Sequence, residues 1–205
     1  MKKILFLLLL VPTLLFSQTI DTIIKTPIYT SYFSYSVKEP LYVTGTIYKV
    51  GGKLPRTGLI FKTGGLKYSA TASDYAHNGY DEGHMFPNIY YAFDAIKQES
   101  TFRFYNALPQ TPNLNRGIWK HLESDLLKLS QTDSLFIITG GYQFDKKIGT
   151  IGVPAYCFKI VKDLKLKTIK CYIFTNTDNA TEQEITIPEL LLKLNYKNNI
   201  TNLLK

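Results

Sequence analysis

The stretch FYNALPQTPNLNRGIWKHLESDLLKLS, residues 104–130, decides the fold, because the chain changes its periodicity inside it. TFRFYNALP (101–109) has strand composition, and Pro109 and Pro112 then frame a turn. Beyond the turn, Ile118, Leu122, Leu126 and Leu129 recur at spacings of four, four and three, the apolar stripe of an amphipathic helix. Trp119 and Glu123 lie four and eight positions past Asn115, so the three share roughly one helical face. Upstream, GYDEGHMFP (79–87) carries His84 directly after Gly83, which lets the chain turn tightly there. A strand bearing His84, a second strand ending in Asn106 and a helix opening at Asn115 make a β-β-helix arrangement whose polar residues converge at one end. Taken singly, these residues have ordinary readings: Asn115 an N-cap, Glu123 a solvated helix residue, Trp119 core and His84 a surface histidine.

The rest of the chain supplies the context. MKKILFLLLLVPTLLFSQ (1–18) has two lysines, an apolar run and small or polar residues near Ser17, the layout of a secretory signal peptide cleaved around Ser17 or Gln18. The run is short for a membrane span and Pro12 interrupts it. The 205 residues carry a net charge of +8, and removing Lys2 and Lys3 leaves +6 on a mature part, 19–205, that fits one compact domain. That balance favours polyanionic partners such as nucleic acid without fixing one. YTSYFSYSV, LYVTGTIYKV and SLFIITGG read as strands, residues 53–80 as irregular surface, NIYYAFDAIKQES as a short helix and the tail from IPELLLK as one last helix. Cys157 and Cys171 sit in two β-rich runs joined by KDLKLK; in a symmetric hairpin they face one another, which allows a cross-strand disulfide, with two buried free thiols as the alternative. Two cysteines are too few for a zinc site. These elements predict an α+β domain with a predominantly antiparallel sheet.

DEGHMFP and FYNALPQTPNLNRGIWKHLE resemble, in order and spacing, the signature segments of the DNA/RNA non-specific endonuclease family, the sugar-non-specific ββα-metal nucleases. FIITGG and IGVPAYCFKIV resemble its later strands, so the similarity runs over residues 29–176. The resemblance implies a ββα-metal (His-Me finger) fold and cleavage of DNA, and of RNA, with little sequence preference. It implies His84 as general base, Asn115 as ligand of a divalent ion, Mg²⁺ or Mn²⁺, and Glu123 as support for that ion's water shell. Asn106 and Gln110 match supporting polar positions beside the site, Trp119 a packing residue and Asp81 the acidic residue that opens the signature. The family also contains homodimers, although nothing in the sequence locates an interface.

The residue types suit phosphodiester hydrolysis. A neutral imidazole accepts a proton from water near physiological pH, and Mg²⁺ takes oxygen ligands while keeping several waters. One departure stands out: Glu82 occupies the place of the family's signature arginine. Glu82 then points away from phosphate, with Arg116, Arg103, Arg56, Lys62 or Lys67 supplying positive charge; or it approaches the metal; or the protein binds nucleic acid and cleaves it weakly. Two other readings compete: a silent nucleic-acid-binding protein on the same fold predicts binding without cleavage, and a secreted basic interaction protein predicts neither.

Overall fold

A computed structural model describes residues 18–196 and 198–205, so the expected signal segment lies, apart from Gln18, outside the described residues. The strands along the chain are β1 (Thr22–Lys25), β2 (Thr30–Ser34), β3 (Glu39–Ile47), β4 (Asp81–His84), β5 (Ala107–Gln110), β6 (Leu135–Tyr142), β7 (Lys146–Ile148), β8 (Ile151–Val153), β9 (Tyr156–Asp163), β10 (Ile169–Thr175) and β11 (Glu182–Glu184). The helices are α1 (Ala72–Tyr75), α2 (Ala95–Ser100), α3 (Trp119–Leu129), α4 (Ile187–Lys193) and α5 (Ile200–Leu203). Seven strands form an antiparallel sheet in the order β1-β2-β3-β6-β9-β10-β11. Its central strand β6, LFIITGGY, is apolar almost throughout because both its faces are covered. One face carries a layer made of the β4–β5 ribbon and α3, where Thr139 of β6 meets Met85 and Phe174 of β10 meets Trp119. The other carries the C-terminal segment, where Tyr196 stacks on Tyr42 and Leu190 and Ile200 are fully buried.

The β-β-helix unit forms, with its boundaries moved. Asn106 closes a 3-10 turn, Phe104–Asn106, in front of β5 rather than ending a strand. Asn115 lies in a widened, π-type turn, Leu114–Ile118, in which Gly117 leaves helical geometry (φ −99°, ψ −116°). The helix proper starts at Trp119, and its buried face is Trp119, Glu123 and Leu126, which leaves Leu129 exposed. The tail makes two short helices instead of one, because Leu194 takes an extended conformation at the end of α4.

The expected cysteine pairing is corrected by the register. Cys157 pairs with Phe174 and Cys171 with Ile160, so the hairpin is offset by three residues from the symmetric arrangement. An odd offset sends the two side chains to opposite faces of the sheet. Both are free thiols, buried, and burial pushes both up to about 12. Thiol reagent should therefore label neither cysteine in the native protein and both after denaturation without reductant; labelling that required reductant would contradict this register.

Candidate active site

His84 ends β4 and is 9% exposed, wedged between Phe61, 4.6 Å between ring centres, and Phe102, 4.8 Å and edge-on. Its Nε2 has no hydrogen-bond partner among the described residues, an exception to the usual pairing of buried polar atoms. Burial, and then the charge of Arg56, lower its pKa to about 3, so the free imidazole is neutral. The His84 carbonyl accepts from Trp119 Nε1 at 3.3 Å, which ties β4 to α3.

Asn115 is placed from two sides. Its backbone N–H donates to the Thr111 carbonyl at 2.9 Å, while Thr111 and Asn113 are themselves bonded to the 176–178 loop. Its side-chain Nδ2 donates to Asp81 Oδ2 at 2.9 Å, which turns the carbonyl oxygen of the amide away from Asp81. Asp81 also takes two bonds from Arg116, Nε to Oδ2 at 2.7 Å and Nη2 to Oδ1 at 2.5 Å. Burial pulls the Asp81 carboxyl upward, but the bonds from Arg116 and Asn115 prevail and hold it below the usual carboxylate range. The Arg116 side chain is 71% exposed yet committed to Asp81.

Glu123, one turn along α3 from Trp119, meets Lys159 of β9 at 3.3 Å. Lys159 is 1% exposed and lies 4.0 Å over the Trp119 ring. Burial drives the pair toward neutrality, pushing Glu123 up and Lys159 down, and each is the other's main electrostatic compensation. Glu82 shares a strand face with His84. Burial, then Asp81, raise its pKa, with Arg56 acting in the other direction.

His84, Asn115 and Glu123, drawn from a strand, a turn and a helix, line one cleft of about 690 Å³ together with Asp81, Glu82 and Arg116. Arg56, Phe61 and Lys120 line it as well. Arg56 was one of five cations named from the sequence; Phe61 and Lys120 carried no sequence signal, because only the tertiary fold brings them to the cleft. Arg103 and Lys62 are engaged by Glu99, and Lys67 rests beside Tyr68, outside the cleft lining.

Two expected site residues lie elsewhere. Asn106 is fully buried and saturated by backbone: Oδ1 accepts from Phe86 N, and Nδ2 donates to the carbonyls of Phe86 and Thr101. It braces the chain after His84 and does not line the cleft, which corrects its place beside the reaction. Gln110 is equally buried, packed under Gly83 with Nε2 3.5 Å from Cys157 Sγ, and is corrected from a supporting position beside the site to core. Gly83 is extended strand rather than turn, and a Cβ there would lie 2.1 Å from Gln110 Oε1. Gly83→Ala should therefore cost roughly 1–3 kcal/mol of stability in urea unfolding by crowding Gln110; an unchanged midpoint would show that Gln110 moves freely.

A β-ribbon carrying a histidine, followed by a turn carrying asparagine and a helix carrying glutamate, all packed on an antiparallel sheet, is the ββα-metal class of nuclease fold. The chain belongs to the DNA/RNA non-specific endonuclease family, whose model matches residues 16–203. Over 94 residues it is 36% identical to a nuclease of Nostoc sp. (strain PCC 7120), a match covering 44% of this chain and about a third, 34%, of that protein. Its fold is similar to a chain in the crystal structure of the EndoG/EndoGI complex, with a TM-score of 0.72, 19% identity and coverage of 84% of this chain and 83% of that one.

Proposed function

We propose that this protein is an exported, divalent-metal-dependent endonuclease that hydrolyses phosphodiester bonds of DNA, and of RNA, with little sequence preference. The observation that carries the reading is the convergence of a neutral His84, an oriented Asn115 amide and a Lys159-held Glu123 on one cleft whose lining includes Arg56, Arg116 and Lys120. Family membership supports it, since the family is divalent-metal-dependent in general.

Among the described residues no group of three or more His, Cys, Asp or Glu could hold an ion unaided. The cleft does offer hard oxygen donors: the Asn115 carbonyl, turned from Asp81, and the Glu123 carboxylate beside it in the lining. Such a set fits Mg²⁺ or Mn²⁺, which prefer oxygen and keep much of their own water. When bound, the ion supplies Lewis-acid stabilisation of charge on the phosphoryl and leaving oxygens.

His84 takes a proton from the attacking water as the new O–P bond forms and the P–O3′ bond breaks, and the departing 3′ oxygen takes a proton from solvent water. A phosphodiester beside Arg56 offsets the cation that depresses the imidazole, and so raises its proton affinity when substrate is present. Arg56 and Lys120 draw in the backbone, and because charge rather than base edges is read, binding is salt-sensitive and weakly sequence-dependent. Glu82 narrows this positive field; burial and then Asp81 raise its pKa, while Arg56 acts against them. The test is plasmid cleavage in Mg²⁺ by Asn115→Ala: cleavage should fall below detection while the unfolding transition is retained. Full activity in that variant would overturn the assignment.

A further inference from the structure

We propose that a separate cavity at the end of the β4–β5 ribbon is a second, nucleotide-binding subsite built on Tyr80 and Lys146, which holds a base and its phosphate a few nucleotides from the bond being cut. The inference rests on the nuclease reading and extends it along the substrate strand.

Successive residues of a strand face opposite ways and advance about 3.3–3.4 Å each. Tyr80, immediately before β4, therefore continues the row His84, Glu82, Tyr80, and lies about 13 Å along the chain from His84. A stacked strand at about 3.4 Å per nucleotide spans that distance in roughly four nucleotides, and a stretched one in fewer. The floor under the row is continuous: Phe61, which packs on His84, and Tyr80 both rest on the small apolar cluster that includes Phe104, Ile151 and Val153.

Past Tyr80 a separate cavity of about 290 Å³ opens, lined by Tyr80, Lys146, Val153, Pro154 and Tyr156. Asn176, in the wall of this cavity, accepts from the Thr111 backbone N–H, whose segment positions Asn115. The second cavity is thereby fixed to the same end of the ribbon as Asp81, which pairs with Gln110. Lys146 Nζ donates to Tyr80 Oη at 2.8 Å and lies 4.9 Å from the ring centre. An aromatic face with aliphatic walls stacks any base, and an ammonium at its edge takes the phosphate. Asp145 also lines the cavity, so the phosphate belongs at the Lys146 rim and the base inside.

The experiment is steady-state kinetics of the full mature chain in Mg²⁺ on bis(4-nitrophenyl) phosphate, too small to reach Tyr80, and on a single-stranded dodecanucleotide. Tyr80→Ser and Lys146→Ala should each lower kcat/KM on the dodecanucleotide about ten-fold, mainly through KM, and leave the small diester unchanged. Tyr80→Phe should keep most of the wild-type value. Equal losses on both substrates would show that Tyr80 merely supports Asp81, and no loss on either would remove the subsite; both results overturn the proposal while the nuclease reading stands. Failure of the wild-type protein to cleave either substrate would overturn the nuclease reading and the subsite with it.

Discussion

His84→Ala should lower kcat/KM for plasmid cleavage by about 10²–10⁴-fold, the range expected when a positioned general base is removed, while circular dichroism still reports the folded sheet. The wild-type pH profile is the companion measurement. Because burial, with Arg56 behind it, lowers the free His84 pKa to about 3, kcat/KM should stay high as pH falls below 6.5, the ordinary histidine value. An acid limb at an unperturbed histidine value would mean that the imidazole is not held in this desolvated setting. The same pKa bears on folding. Between about 3 and 6.5 the unfolded chain binds a proton at this residue and the folded chain does not, so His84's contribution lowers stability as pH falls through that window. His84→Ala should flatten that part of the dependence.

The largest stability effect is expected at the Lys159–Glu123 pair. Glu123→Ala strands the ammonium of Lys159, 1% exposed in the middle of β9, and should cost about 3–5 kcal/mol in urea unfolding. Lys159→Met should cost less, because the abandoned carboxylate of Glu123 still faces the cleft. The double variant Glu123→Leu, Lys159→Met should recover most of the lost stability, since an apolar pair of similar volume replaces two desolvated charges. It should nevertheless remain without activity. Stability without cleavage would separate Glu123's part in the site from its part in the core, whereas an active double variant would remove Glu123 from the chemistry.

Much of this architecture was legible because it is written locally. Pro109 and Pro112 stop the β composition, the Ile118–Leu122–Leu126 spacing starts a helix, and ordered motifs around His84 and Asn115 identify the ribbon and turn. Residues 53–80, irregular surface by composition, deliver Arg56 and Phe61 to the cleft. What was not legible depends on register and on distant partners. Nothing within FKIVKD distinguishes Lys159 from a solvated lysine; its burial follows from Glu123 arriving from α3 and Trp119 covering it. The cysteine positions allowed a symmetric hairpin, and only the three-residue offset sends their side chains to opposite faces. Asn106 and Gln110 have the polarity of site residues, yet their partners are the backbone around His84 and the underside of Gly83. The departure at Glu82 was visible at once; its half-buried setting beside Asp81 and Arg56 required the fold.

The most direct measurement of the central claim is incubation of the purified protein with supercoiled plasmid in Mg²⁺ and, in parallel, in EDTA. A metal-dependent, sequence-tolerant site predicts progressive degradation to small fragments in Mg²⁺ and intact plasmid in EDTA. Plasmid that survives in Mg²⁺, or is cut equally well in EDTA, would contradict it.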